Sequence, residues 1–180
     1  MRNFQLIARG VDVGPLGHAL VLKPELWNAN RLRTTFEGSP HAQADDIWLW
    51  FNEEGTEDEV IDGKDVRPYP AWLELPQARH IVFDLMRRVE GVRLGRVLIT
   101  RLSAGKTITP HADEGAPAEY YDRYQVALQS LAGCMFNIGE ESVEFEMGEI
   151  WWIDNRKSHS VENVSVDDRI VMIVDIKSAQ

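Results

Sequence analysis

From about residue 95 onward the chain is a close succession of short apolar runs: "RVLITRL", "RYQVALQS", "CMFNI", "SVEFEM", "EIWWID" and "RIVMIVDI". They are rich in β-branched and aromatic residues, and Gly, Asn, Asp and Ser bound them, which is how strands and their turns read. No helical pattern separates them. Strands so close together must pair antiparallel, so the spacing predicts a sandwich or a barrel. "SVEFEM" alternates, with Val143, Phe145 and Met147 expected on a buried side and Ser142, Glu144 and Glu146 on a wet one. Trp151 and Trp152 are neighbours on one strand, so only one of them is expected to face a cavity.

The first half reads differently. Ala78, Ile81, Val82, Leu85, Met86 and Val89 recur at steps of three and four, which predicts a helix over Pro76–Val89 with one apolar face. Pro76 suits its first turn and Gly91 its stop. A weaker helix is expected near Pro24 in "KPELWNANRLR", and "DIWLWF" reads as a short buried strand. A length of 180 residues suits one domain. The expected division is an N-terminal part, 1–94, whose helices support the barrel, and a β core over 95–180.

The net charge is −10, and no basic face is visible, which argues against a nucleic-acid partner. Residues 41–65 hold nine acids against the single base Lys64. That segment reads as a solvated loop or as a mobile lid beside a pocket. A polyacidic substrate would be repelled by it. The single cysteine, Cys134, lies in an apolar run and reads as a buried thiol. No apolar run is long enough to span a membrane, and "MRNFQLIARG" has no apolar signal core, so a cytoplasmic location is expected.

The chemistry concentrates in "TPHADEG". His111 and Asp113 are two residues apart, and Pro110 biases Thr109 toward an extended conformation. On an extended segment both side chains point to one face and can converge on one ion. A third ligand has to come from elsewhere. Of the five histidines, His80 falls on the polar face of the predicted helix. His41 follows Pro40 in a loop, and His18 reads as a turn residue in "GPLGHAL". His159 follows "EIWWID" across a polar turn, where a second strand can bring it beside His111. Two histidines and one carboxylate on one face of a metal leave positions open for a co-substrate and O2, as in non-haem Fe(II) oxygenases. A closed structural zinc site would want four protein ligands, usually thiolates. Arg169 opens an otherwise apolar strand, so it needs an anion: a dicarboxylate ligand, or else Asp167, Asp168 or Asp175.

"TPHADEG…DRYQVALQS…GEIWWIDNRKSHSVENVSVDDRIVMIVD" resembles the aspartyl/asparaginyl β-hydroxylase family of 2-oxoglutarate- and Fe(II)-dependent dioxygenases. The resemblance covers roughly 95–176 and is weaker over "SPHAQADDIWLW" and the helix near 76–90. It implies a double-stranded β-helix, the cupin-like jelly roll. It implies Fe(II) at His111 and His159, with 2-oxoglutarate chelating the iron and its far carboxylate on Arg169. Thr100 is similar in placement to a family hydroxyl that donates to that carboxylate. Arg123 and Gln125 match a polar pair that helps hold the co-substrate, and the family often has histidine where Gln125 stands. Animal members lack the carboxylate ligand that Asp113 supplies here, so a complete triad is expected. Halogenation would need that position vacated.

The activity so implied is hydroxylation of an aspartyl, asparaginyl or prolyl group in a peptide, protein or free amino acid. O2 is the oxidant, and succinate and CO2 are the co-products. Loops 38–70 and 114–121 are the expected seat of specificity. The sequence leaves two other readings open. One is a non-catalytic cupin-like domain that binds a metal or a small acid. The other is a zinc hydrolase with Glu114 as base.

Overall fold

The computed structural model describes residues 1–53 and 63–179. Five acids of the 41–65 segment (Glu54, Glu57, Asp58, Glu59 and Asp62) lie outside the described residues, and with them that part of the reading as a loop or lid. Asp45 and Asp46 sit on the strand Ala44–Phe51, with Asp46 fully buried, rather than in a solvated loop.

Eleven strands, numbered in chain order, form two antiparallel sheets among the described residues. The larger runs β1 (Phe4–Ala8), β9 (Ile150–Ile153), β6 (Asp122–Gln129), β11 (Arg169–Ser178), β4 (Gly91–Leu102), β2 (Ala44–Phe51), β3 (Arg67–Pro68). The smaller runs β5 (Thr107–His111), β10 (His159–Asn163), β7 (Cys134–Ile138), β8 (Glu141–Glu144). Consecutive strands repeatedly leave one sheet for the other, which makes the fold a jelly roll. The N-terminal part does more than support it, because β1, β2 and β3 belong to the larger sheet.

The larger sheet is covered on both faces, which explains why "RIVMIVDI" is apolar almost throughout. Met172, Val174 and Ile176 point outward and pack with Ala78, Val82 and Leu85 of the helix Gln77–Arg88. The intervening residues Arg169, Val171, Ile173 and Asp175 point to the other face. Between the sheets, Phe4, Phe136, Phe145 and Trp151 build a second, aromatic core. Trp152 packs at the edge of the outer core. Polar side chains are nonetheless buried on the inner face: Asp46, Thr100, Gln125, Arg169 and Asp175. A jelly roll does not need them for packing, so they mark the site.

The helix over 77–88 ends one residue inside the expected bounds at each end. Its turn differs from expectation, because Glu90 holds the left-handed conformation (φ 53°). Gly91 opens β4 and is small because a Cβ there would lie 2.6 Å from Ile176 Cγ2. The expected helix near Pro24 is a 3-10 turn, Pro24–Leu26, and a short helix, Leu32–Thr35. Gly14–Leu22 is helical, so His18 sits on a helix rather than in a turn. His80 is exposed and Cys134 is buried. β8 stops at Glu144, and Met147, expected on the buried side, is 65% exposed.

Candidate metal centre

The β5–β10 ladder places His159 directly opposite His111, and their ring centroids lie 4.3 Å apart. Asp113 follows just past the end of β5. Its backbone N–H donates to Asn155 O at 2.9 Å, which ties the segment to the turn before β10. One ligand atom from each of His111, Asp113 and His159 lies within 4.8 Å of the others. The distant histidine is thus brought in by strand pairing.

Both imidazoles are oriented by the backbone. His111 Nδ1 meets Thr109 O at 2.8 Å, and His159 Nδ1 meets Lys157 O at 2.9 Å. A carbonyl can only accept, so Nδ1 carries the proton on each ring and Nε2 keeps its lone pair. His111 Nε2 is buried with no hydrogen-bond partner among the described residues. Burial, together with neighbouring His159, lowers the His111 pKa to about 4, and burial also lowers that of His159. Burial by itself would raise the Asp113 carboxyl, but Arg123, His159 and the Asn155 amide outweigh it and hold the pKa at about 2. Two neutral imidazoles and one carboxylate are therefore ready at neutral pH, the form a divalent ion binds. An orphaned buried nitrogen beside an ionised carboxylate fits such an ion.

Asp113 is itself held. Asn155 Nδ2 donates to Asp113 Oδ2 at 2.8 Å, and Arg123 Nη1 donates to the same oxygen. The remaining edge of Arg123 makes a two-pronged pair with Asp175, both contacts 2.8 Å. Arg123 was expected at the co-substrate. It lies between two carboxylates, one of them a candidate ligand, and also lines the chamber beside the triad.

A small chamber of about 20 Å³ lies beside the triad, and Arg169 forms part of its wall. Arg169 is 2% exposed. Its Nη2 donates to Gln125 Oε1 at 3.1 Å, and its guanidinium lies 5.7 Å from the Phe136 ring and 5.6 Å from that of Phe145. Burial lowers its pKa to about 10. Among the described residues no carboxylate pairs with it. Asp175 is six residues along the same strand, about 20 Å away in an extended chain, and pairs with Arg123. Asp168 lies 3.8 Å from Arg101. Thr100 also lines the chamber, but its hydroxyl donates to Asp46 Oδ1 at 2.8 Å. One hydroxyl has one proton, so donation to a co-substrate carboxylate would require this bond to be exchanged.

A larger cleft of about 240 Å³ adjoins the triad from outside. Phe36, Pro40, Phe51, Leu98, Pro117 and Ala118 give it apolar walls. The last two come from the helix Gly115–Tyr120, within the segment 114–121 expected to govern specificity. Arg33, His41, His111 and Arg123 border both spaces. His41, read as a loop residue, meets the His111 ring edge-on at 4.8 Å, and Arg33 Nη2 lies 3.1 Å from its ring nitrogens. Asn155 and Asp46 also went unrecognised as parts of the site, and Asp175 was weighed only as a partner for Arg169, not for Arg123. Only Asp175 carried a local cue, a charge inside an apolar strand.

A family model described as aspartyl/asparaginyl β-hydroxylase matches residues 28–179. L-proline cis-4-hydroxylase of Rhizobium meliloti (strain 1021) is 28% identical over 80 residues, 44% of this chain and 29% of that protein. The chain thus spans under a third of the curated relative it matches. A prolyl hydroxylase from Trichoplax adhaerens, solved with a hypoxia-inducible-factor oxygen-degradation-domain peptide, superposes with a TM-score of 0.63. Its identity is 10%, over 98% of this chain and 84% of that one. A 2OG-Fe(II) oxygenase-family oxidoreductase from Burkholderia pseudomallei gives a TM-score of 0.53 at 16% identity, over 74% of this chain and 66% of that one. At such identities these two structures show a common fold.

Proposed function

This chain belongs to the aspartyl/asparaginyl β-hydroxylase family, and from that membership and its site we propose that it is a 2-oxoglutarate- and Fe(II)-dependent hydroxylase. The observation that carries the reading is Arg169: a buried guanidinium with no carboxylate partner among the described residues, lining the same chamber as two of the three candidate ligands. An uncompensated buried charge is costly and calls for an anion. The planar fork of arginine matches a carboxylate, and the adjoining metal site accounts for the other end of a chelating oxo acid.

His111, Asp113 and His159 would hold the iron. Bound there, iron supplies the redox chemistry by which O2 converts 2-oxoglutarate to succinate and CO2 while the substrate is hydroxylated. The protein's own contribution is positional. Asn155 and Arg123 fix the Asp113 carboxylate, and the Thr109 and Lys157 carbonyls fix the two rings. Gln125 steadies the Arg169 guanidinium, while Phe136, Val161 and Ile173 keep the chamber apolar and exclude water. The outer cleft is the substrate's place, with apolar walls and access to the triad.

The substrate class we favour is a prolyl, aspartyl or asparaginyl group, presented by a free amino acid or a peptide. The names of the two hydroxylases, one of L-proline and one prolyl hydroxylase solved with a peptide, support the prolyl part of that range and put proline first for testing. The experiment is succinate release from 2-oxoglutarate with Fe(II) and ascorbate, together with a screen of amino acids and short peptides for a mass gain of one oxygen. Succinate release that tracks substrate oxidation supports the reading. Absence of both iron binding and turnover would favour a binding module instead.

A further inference from the structure

Every residue lining the Arg169 chamber sits on a β-strand except two, Arg33 and His41. The strands are held by ladder hydrogen bonds in two packed sheets and have little freedom. Arg33 lies on the short helix Leu32–Thr35, and His41 lies in the turn before β2. With His111 and Arg123 these two also border the outer cleft, so they are the off-strand part of the partition between the two spaces.

The chamber beside the partition is cramped. A cavity of about 20 Å³ has room for roughly one water molecule. A dicarboxylic oxo acid is several times larger, so something has to move before one can reach Arg169. Moving a strand would break its ladder, whereas moving His41 breaks contacts of a lesser kind. Its ring rests edge-on against His111 and beside Arg33 Nη2. Its turn is tied by Thr109 N–H to Pro40 O at 3.2 Å and by His41 N–H to Ser39 Oγ at 3.1 Å. Arg33 is more firmly fixed, because its Nη1 meets the fully buried Asp46 at 2.6 Å.

We infer that His41, backed by Arg33, decides which oxo acid enters the Arg169 chamber and how fast. The inference rests on the co-substrate reading above and assigns to His41 a role in specificity. The Arg33–Asp46 pair anchors the back of the partition, and the His41 ring is the part that yields. A longer oxo acid requires a larger displacement of the ring, so the partition selects by length as well as by charge.

The test is stopped-flow association of 2-oxoglutarate and of the longer 2-oxoadipate with the Fe(II)-loaded protein under exclusion of oxygen. Wild type is compared with His41→Ala and His41→Phe, and Mn(II) affinity is measured in parallel. Expected in His41→Ala are an association rate for 2-oxoglutarate about tenfold higher and a smaller preference over 2-oxoadipate, with Mn(II) affinity unchanged. His41→Phe slows both acids, and this arm decides alone if His41→Ala does not fold. Rates and preference within about twofold of wild type in both variants would overturn the inference. So would rate changes that merely follow a loss of metal affinity, since His41 would then act only by supporting His111. If wild type binds neither acid, the co-substrate reading itself fails, which is a different result from binding that ignores His41.

Discussion

Arg169 Nη2 donates to Gln125 Oε1 at 3.1 Å, and that neutral amide is the polar partner the structure gives a guanidinium 2% exposed. A charge so placed destabilises the protein without its anion and serves binding. Arg169→Met should therefore abolish 2-oxoglutarate binding, measured by calorimetry on the Mn(II)-loaded protein. It should also raise the Tm of the metal-free protein, because an unpaired buried charge is replaced by an apolar chain of similar volume. A lower Tm would mean that Arg169 supports the fold.

Asn155 grips Asp113 twice, through its side-chain amide at 2.8 Å and its backbone carbonyl at 2.9 Å. Partners that orient a ligating carboxylate typically matter to metal affinity by about 10–100-fold. Asn155→Ala keeps the backbone contact and loses the amide, so Mn(II) affinity should fall by about that factor while the thermal transition moves little. Unchanged affinity would remove Asn155 from the site.

Arg123 lies between Asp113 and Asp175, and all three are largely buried, at 13%, 19% and 3% side-chain exposure. Arg123→Met strands two carboxylates and should destabilise the protein by about 3–5 kcal/mol in urea unfolding. Adding Asp175→Leu removes one stranded charge, so the double variant should be more stable than Arg123→Met alone. A purely additive pair would contradict this account of Arg123.

At Gly91 the added methyl of Gly91→Ala would meet Ile176 Cγ2 at 2.6 Å and Met86 O at 3.3 Å. Overpacking of this kind costs about 1–3 kcal/mol, so the urea midpoint should fall by a corresponding amount. Ile176→Ala removes that Cγ2, so Gly91→Ala should cost less in the Ile176→Ala background than in the wild type. An equal cost in both backgrounds would place the strain in the backbone.

Much of this was legible in the sequence because the signals were local. The helix Gln77–Arg88 showed itself through Ala78, Ile81, Val82 and Leu85. His111 and Asp113 showed themselves through their two-residue spacing. His159 was reachable because only five histidines had to be sorted. The helix Gly14–Leu22 gave no such signal, since Val21 and Leu22 are apolar and exposed and blur any periodic stripe. β10, "HSVEN", is too polar to read as a strand, although His159, Val161 and Asn163 are all buried. His41 and Asn155 enter the site only through contacts distant in sequence, the Pro40–Thr109 and Asn155–Asp113 bonds, which no local pattern records. Asp175 was weighed as a partner for Arg169, but both occupy one face of one strand, and the distance along it keeps them apart.

The most direct measurement is a crystal structure of the protein grown with Mn(II) and 2-oxoglutarate. The account predicts one ion bound by Nε2 of His111, Nε2 of His159 and the Asp113 carboxylate, with the far carboxylate of the oxo acid paired to Arg169. An ion bound elsewhere, or an oxo acid whose far carboxylate lies away from Arg169, would contradict it.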